Sequence, residues 1–431
     1  MTSSAARSTA RHLVVGASGV AGTGIVQSLA ADGEEPIFAL ARRPRLESAW
    51  GGRVTPIAAD LFDPEGLRAA LRLAQPSHVY YAAHMPPGGG ASAQAPPLAM
   101  HPRALQAMLR WLRPWTPTLV RLPGAVHWYF RPIHARAGLC DGGENALMFR
   151  HLREALADFA RDSNTRPHLA VLTGGRLHGV HLGPALWPDY APVITADSPR
   201  PPGRTWYWDV EDPLQQAGPL PYTWSIHRPH FILGRAEGAP YSLVDAIACY
   251  ALLLRHAGLP LVFPGGADAF AARSEAVDAT LLGAQMRWAA DTSAAHGEAF
   301  LVRNGPAWRW PELWPAIARD FGMAWQVPSR AVSLYDLLPS PEAVWDDLRA
   351  AAGLPPLPLT QAMPIAFLHD AMVVTWDVTY DADKAAALGF ADTRGWQGFH
   401  AALHAVAAPY GPVASANWSD TPPEFDPLPS A

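Results

Sequence analysis

Residues 12–22 of this 431-residue chain read HLVVGASGVAG. A short apolar run rich in β-branched residues is followed at once by glycines with the spacing G-x-x-G-x-x-G, and an apolar helical pattern continues over residues 25–30. Glycines at these places permit a tight turn and let backbone N–H groups approach a pyrophosphate at the start of a helix. The stretch therefore predicts a dinucleotide-binding strand, turn and helix. The residues predicted to contact the nucleotide here are Gly16, Ser18, Gly19, Val20 and Gly22.

Strand-like and helical segments alternate along the following 200 or so residues. Apolar strand patterns occupy residues 36–40, 54–59, 78–83, 169–172 and 223–228, and helical patterns occupy 145–160 and 205–216. Strands that alternate with helices are typical of a parallel sheet covered on both faces. The predicted fold class is therefore α/β, with a doubly wound parallel sheet of the Rossmann type.

The same patterns predict how the chain is divided. A Rossmann domain is expected over residues 11–235, interrupted at about 85–143 by an insertion that breaks the alternation. This insertion either folds over the mouth of an active site or forms a surface loop with no role at the site. A mainly helical pattern then predicts a smaller substrate-binding lobe over residues 236–416. Flexible termini are expected at 1–10 and 417–431.

Composition limits the class of partner. Hydrophobic residues make up 49% of the chain, charged residues 16%, and the formal net charge is −5, so nothing electrostatic favours nucleic acid or an anionic membrane. The apolar run at 246–254 is too short to span a bilayer, and the first residues lack the apolar core of a secretory signal. With only two cysteines as well, a cytoplasmic protein is expected. The predicted partner is a small apolar carbonyl substrate, and a homodimer is left open.

The end of the second strand predicts which dinucleotide binds. Residues 39–44 read ALARRP, so Arg42 and Arg43 stand where an NAD site usually has Asp or Glu for the ribose hydroxyl. Guanidinium groups suit a 2′-phosphate, which favours NADP(H) over the alternative of a solvated basic turn. Asp60 is expected near the adenine amino group. Further contacts are predicted from Leu61, Ala82 and Thr173.

Several segments together resemble a known family. They include GASGVAG, ALARRP, AADLFDP, HVYYAAH, TWYWDVED and WSIHRPHFILG, in this order along the chain. The chain resembles the progesterone 5β-reductase and iridoid synthase family, atypical short-chain dehydrogenases/reductases that use NADPH on activated carbon–carbon double bonds. The resemblance implies that Tyr207 occupies the position of the catalytic tyrosine. It also implies that His227, Arg228 and Pro229 form a loop that positions the nicotinamide.

The resemblance is broken at the catalytic lysine. Residues 173–178 read TGGRLH, and Leu177 falls where the family has its lysine. Glu211 stands four residues after Tyr207, and the chain's single lysine, Lys384, lies far along the sequence. Arg176 and His178 are the candidate catalytic substitutes. A tyrosine without such help has a pKa near 10 and is protonated at neutral pH, so it can donate a hydrogen bond but is a poor base.

These observations favour an NADPH-dependent reductase of an α,β-unsaturated or related carbonyl compound, with Tyr207 as hydrogen-bond donor to the developing oxyanion. Two alternatives remain open on the same scaffold: a non-reductive isomerase, cyclase or lyase, and an NADP-binding sensor. Tyr241, Phe263 and Phe270 could line an apolar substrate site or belong to the core. No metal site is predicted, because the 17 histidines form no HExxH motif and no paired Cys/His spacing.

Overall fold

The computed structural model describes residues 10–44, 52–85, 143–203, 205–236, 239, 241–363 and 365–411. The insertion predicted at about 85–143 and both predicted flexible termini lie almost wholly outside the described residues.

A seven-stranded sheet forms the centre of the molecule, and all of its neighbouring strands are parallel. Its strands are β1 (His12–Val15), β2 (Ile37–Ala41), β3 (Val54–Ala58), β4 (His78–Tyr81), β5 (His168–Leu172), β7 (Thr223–Pro229) and β12 (Glu298–Val302). They are arranged in the order β12-β7-β5-β4-β1-β2-β3. This doubly wound topology confirms the predicted fold class.

Fifteen α-helices, three 3₁₀ helices and eight short strands make up the other elements in the described part of the chain. The helices are α1 (Val20–Asp32), α2 (Pro64–Ala74), α3 (Gly143–Asp162), α4 (Gly183–Leu186), α5 (Trp206–Gln215), α6 (Leu243–His256), α7 (Gly266–Ala271), α8 (Ala279–Asp291), α9 (Trp310–Asp320), α10 (Leu334–Leu337), α11 (Pro341–Ala351), α12 (Leu359–Ala362), α13 (Ile365–Met372), α14 (Asp383–Ala387) and α15 (Gln397–Ala407). The short strands are β6 (Val193–Ile194), β8 (Phe231–Leu233), β9 (Leu261–Val262), β10 (Arg273–Ser274), β11 (Ala276–Asp278), β13 (Trp308–Arg309), β14 (Trp325–Gln326) and β15 (Thr379–Tyr380).

The two faces of the sheet are covered by different helices because successive side chains of a strand point to opposite faces. On β1, Leu13 and Val15 pack into a core with residues of α2, α3 and α5. Val14 points the other way, into a core with residues of α1 and α8. Both faces are therefore apolar, which explains why the strands read as continuous hydrophobic runs.

The boundary predicted at residue 235 does not follow the sheet. Strand β12 pairs with β7 at the sheet edge, although its residues fall within the predicted lobe. Helix α8 packs closely along α1, where a side chain at Gly24 would overlap Ala279. The Rossmann body therefore extends past residue 300, because the chain leaves the sheet after β7 and returns to it with β12.

The remaining C-terminal region is mainly helical, as predicted. Nearly every residue of α6 is buried, and α11, α13 and α15 pack around it. A helix that is apolar on all sides belongs in the middle of such a core. Phe263 and Phe270 are part of this core. None of the helices in the described ranges is both long enough and apolar enough to cross a membrane.

Candidate functional site

A crevice opens where the winding of the sheet changes direction. Strand β1 lies between β2 and β4. The helix after β1, α1, packs on one face of the sheet, and the next described helix after β4, α3, packs on the other. Such a switch point is the usual ligand site of an open α/β sheet. The crevice here has a volume of about 1130 Å³ and runs from the turn after β1 to the helical lobe.

The turn after β1 is shaped to receive an anion. Gly16 has a left-handed backbone (φ +86°), and a Cβ there would lie 2.6 Å from Cα of Ala83, so only glycine fits. Gly19 caps α1 without a side-chain hydrogen bond, which leaves the first N–H groups of this helix for a ligand. Gly22, predicted to contact the nucleotide, does not line the crevice. Its missing side chain lets α1 pack against the carbonyl of Gly16.

The walls beyond this turn contain the other predicted nucleotide contacts. Arg42 and Arg43 follow β2 as exposed side chains that line the crevice. Asp60 lines the crevice, and its carboxylate accepts a hydrogen bond from the backbone N–H of Phe62 at 3.0 Å. The remaining predicted contacts that line it are Ser18, Val20, Leu61, Ala82 and Thr173.

Tyr207 lies in the first turn of α5 and also lines the crevice. Thr205 caps this helix by accepting a hydrogen bond from the backbone N–H of Tyr207. The Tyr207 hydroxyl lies against Gly174, where an added Cβ would come within 3.2 Å of it. Burial raises the pKa of the Tyr207 phenol above its usual value near 10, whereas the charge of Arg176 acts to lower this pKa. The net result is a protonated phenol at neutral pH.

Arg176 and Leu177 sit side by side on a short 3₁₀ turn, Gly175–His178, but they face different surroundings. Arg176 lines the crevice near Tyr207, whereas Leu177 is buried and does not line it. Of these two residues, Arg176 is therefore the one whose charge acts on the Tyr207 phenol. Lys384 does not line the crevice. Its Nζ is 2.5 Å from a carboxylate oxygen of Glu298, which does not line the crevice either.

His178 does not reach the crevice, which corrects its predicted catalytic role. Its ring is buried, with Nδ1 donating to the carbonyl of Ser198 at 3.1 Å and Nε2 accepting from Nη1 of Arg228 at 3.2 Å. Burial and the nearby Arg228 lower the pKa of His178 to about 4. A neutral imidazole with both nitrogens engaged is a structural residue.

The predicted loop of His227, Arg228 and Pro229 is only partly at the crevice. Pro229 lines it, but His227 and Arg228 are buried and do not. Nε2 of His227 lies 3.0 Å from the hydroxyl of Ser225, and Arg228 is ion-paired with Glu211 at 2.6 Å. The positioning role predicted for these two residues is corrected to an internal one, because both side chains point into the body.

His230 is a crevice residue that the sequence did not single out. It follows β7 directly, and its Nε2 is buried with no hydrogen-bond partner among the residues that the structure describes. Burial, followed by the charge of Arg176, lowers the pKa of His230 to about 3, so its imidazole is neutral. The segment HRPH at 227–230 was the available signal, since its last residue lies just past a parallel strand's carboxyl end.

The lobe side of the crevice is aromatic and aliphatic. Tyr241 and Phe367 meet edge to face with ring centroids 5.5 Å apart, and Phe231 lies 6.4 Å from Phe367. Ile232 and Val374 continue this apolar surface. Of the aromatic residues predicted for a substrate site, Tyr241 lies in the crevice, whereas Phe263 and Phe270 belong to the core.

Comparison with known proteins agrees with this architecture. Residues 12–114 match the model of the NAD dependent epimerase/dehydratase family. The (S)-8-oxocitronellyl enol synthase of Catharanthus roseus is 28% identical over 260 residues, which are 59% of this chain and 66% of that protein. The 3-oxo-Delta(4,5)-steroid 5-beta-reductase of Arabidopsis thaliana is 26% identical over 348 residues, 78% of this chain and 76% of that protein. The chain is a homologue of both.

The comparisons confirm the resemblance to the progesterone 5β-reductase and iridoid synthase family that the sequence indicated. Solved structures support the fold. MoeE5 in complex with UDP-glucuronic acid and NAD has a TM-score of 0.52 at 15% identity, covering 92% of this chain and 99% of that chain. The Bordetella bronchiseptica enzyme WbmG in complex with NAD and UDP has a TM-score of 0.51 at 13% identity, covering 94% and 96%.

Proposed function

We propose that this protein is an NADPH-dependent reductase of α,β-unsaturated carbonyl compounds with an apolar body. The observation that carries the proposal is one continuous crevice. One end contains the glycine turn and the two arginines, the other end is aromatic, and a protonated phenol lies in the wall. The two relatives named above, an enol synthase and a steroid 5-beta-reductase, support the same class of chemistry.

The residues of the crevice fit NADPH. A Cβ at Gly16 would fill the cradle next to Ala83, and the uncapped N-terminus of α1 offers N–H groups to a pyrophosphate. Arg42 and Arg43 are suited to a ribose 2′-phosphate, which needs positive charge and tolerates no neighbouring carboxylate. NADPH, when bound, supplies a hydride for the β-carbon of the substrate.

The chain's own groups stabilise the charge that develops on the substrate oxygen. The protonated Tyr207 donates a hydrogen bond to the carbonyl oxygen, and this bond strengthens as the oxygen becomes an enolate. Arg176 adds a positive charge on the same side of the crevice. The enolate takes its proton at the α-carbon from water, so no base is required.

The proposal is tested by steady-state oxidation of NADPH with a panel of apolar enals and enones, and with their saturated counterparts as comparison. We expect turnover of the conjugated compounds. Tyr207→Phe removes only the donor hydroxyl and should lower kcat by about 100- to 1000-fold. Tyr335→Phe, the same change at an exposed tyrosine that does not line the crevice, is the matched control and should behave as wild type.

No oxidation of NADPH by wild type with any conjugated compound would overturn the proposal. Product formation without net consumption of NADPH would instead favour an isomerase, cyclase or lyase on this scaffold. Full activity of the Tyr207→Phe enzyme would remove the phenol from the mechanism.

A further inference from the structure

Three side chains with metal-binding atoms meet in the helical lobe, outside the crevice. Asp320 is the last residue of α9, and His400 and His404 lie one turn apart on α15. Oδ2 of Asp320 is 3.0 Å from Nε2 of His400 and 3.4 Å from Nε2 of His404. Potential ligand atoms from all three side chains lie within 4.8 Å of one another. Both imidazoles thus aim the same nitrogen at one carboxylate oxygen.

The position of Asp320 requires positive charge nearby. Its side chain is 0% exposed, and a buried carboxylate is costly unless it is paired. It also lies at the C-terminus of a helix, where the backbone carbonyls carry partial negative charge and disfavour a further anion. A cation held between Asp320, His400 and His404 would compensate the negative charge of this carboxylate.

We propose that Asp320, His400 and His404 bind one divalent transition-metal ion of the zinc type. Imidazole nitrogen and carboxylate oxygen are ordinary ligands of Zn²⁺, and two histidines spaced i, i+4 present their rings on one face of a helix. Zinc bonds of about 2.0–2.2 Å in a tetrahedron set neighbouring ligand atoms about 3.3–3.6 Å apart. The two separations from Asp320 are close to that spacing.

The ion is accessible from solvent and has a structural role. His400 and His404 are 17% and 24% exposed, so the cluster is reached from the surface and a fourth position is open to water. None of the three residues lines the crevice. The ion ties α15 to the end of α9, and α15 packs on α6 at the centre of the lobe. Binding therefore stabilises the lobe against unfolding.

The test uses the full-length protein without a histidine tag, stripped with a chelator and titrated with Zn²⁺ by calorimetry. We expect one equivalent of Zn²⁺ to bind, and the melting temperature to rise by a few degrees when free Zn²⁺ is well above the dissociation constant. His400→Gln and His404→Gln should each weaken binding by about 100-fold or more, since even the loss of a group behind a ligand costs 10- to 100-fold. His256→Gln, at an exposed histidine of α6, is the matched control and should bind as wild type.

Two outcomes would overturn the proposal. One is the absence of saturable Zn²⁺ binding, which would leave a histidine–aspartate ion pair at this place. The other is binding that survives unchanged in both ligand variants. Anomalous diffraction from zinc-soaked crystals of the wild type needs no variant to fold. A peak between Asp320, His400 and His404 is expected, and zinc peaks only elsewhere would contradict the site.

Discussion

The carboxylate of Glu211 binds the guanidinium of Arg228 through two hydrogen bonds, from Nε at 3.0 Å and from Nη2 at 2.6 Å. Both side chains are buried, and the hydroxyl of Thr173 donates a third bond to the same carboxylate at 2.6 Å. Glu211 lies one helical turn after Tyr207 on α5. The ion pair therefore fastens the helix that carries the phenol to the ends of β5 and β7.

Removing the charge of Glu211 should be strongly destabilising. Glu211→Gln leaves the Arg228 guanidinium buried without its counter-charge, which typically costs about 3–5 kcal/mol of unfolding free energy. Denaturant titration measures this loss. Asp158→Asn breaks surface ion pairs with Arg161 and Arg68, and should change the unfolding free energy by about 1 kcal/mol or less. Equal stability of the two variants would contradict the role given to the buried pair.

Arg176 should be needed for catalysis through its charge. Arg176→Met should lower kcat by about 100-fold, the usual cost of losing an electrostatic partner of an oxyanion site. Arg176→Lys keeps the charge and should retain much more activity than the Met variant. Arg161→Met, on the exposed surface of α3, serves as control. An Arg176→Met enzyme with unchanged kcat would exclude Arg176 from the reaction.

Arg42 and Arg43 should determine the preference for NADPH. Alanine at either position should raise the dissociation constant for NADPH by about 10- to 100-fold, the equivalent of a charge-assisted hydrogen bond worth 1.5–3 kcal/mol. NADH lacks the 2′-phosphate, so its binding should change little. Fluorescence titration with both coenzymes measures the ratio. Equal weakening of NADPH and NADH binding would mean that these arginines do not bind the 2′-phosphate.

Acid should destabilise the fold through buried histidines. Burial, aided in His178 by Arg228, lowers the pKa of His178 to about 4 and that of His227 to about 3 in the native state. The unfolded chain, with a histidine pKa near 6.5, takes up these protons as the pH falls below 6.5. Between pH 6.5 and 4, each such histidine lowers the unfolding free energy by up to about 1.4 kcal/mol per pH unit.

The pH dependence of the unfolding free energy should distinguish the buried His178 from surface histidines. His178→Gln should reduce the slope of unfolding free energy against pH over this window, whatever its effect on stability at pH 7. His256→Gln, at an exposed position, should leave the slope as in wild type. An unchanged slope in the His178 variant would mean that its imidazole is already protonated in the native protein.

The sheet was largely predictable from sequence, because the hydrophobic pattern within each short strand is enough to identify it. Strands β1, β2 and β4 are short runs buried on both faces, so their hydrophobic pattern is unmistakable, and the glycines after β1 mark the turn. Strand β12 was assigned to the lobe instead. Its pairing with β7 joins residues about 70 positions apart, and no local pattern reports such a return to the sheet.

Some residues of the candidate site were also predictable from local sequence, whereas others were not. Nucleotide contacts such as Arg42 and Asp60 were predictable because they directly follow strands of a parallel sheet, whose carboxyl ends face the crevice. His227 and Arg228 were misplaced because they lie inside β7, whereas Pro229 and His230 at its carboxyl end line the crevice. His178 was misplaced because the sequence does not show which side of the 3₁₀ turn faces the crevice. The cluster around Asp320 joins residues 80 positions apart, beyond the reach of a spacing motif.

The central claim is hydride transfer from NADPH to a conjugated carbonyl compound held beside Tyr207. The most direct measurement uses NADPH carrying deuterium at the transferable position of its nicotinamide, an apolar enal that wild type turns over, and mass spectrometry with NMR of the product. We expect one deuterium at the β-carbon and none at the α-carbon, with one NADPH consumed per product. A product that contains no deuterium, or that forms without consumption of NADPH, would contradict it.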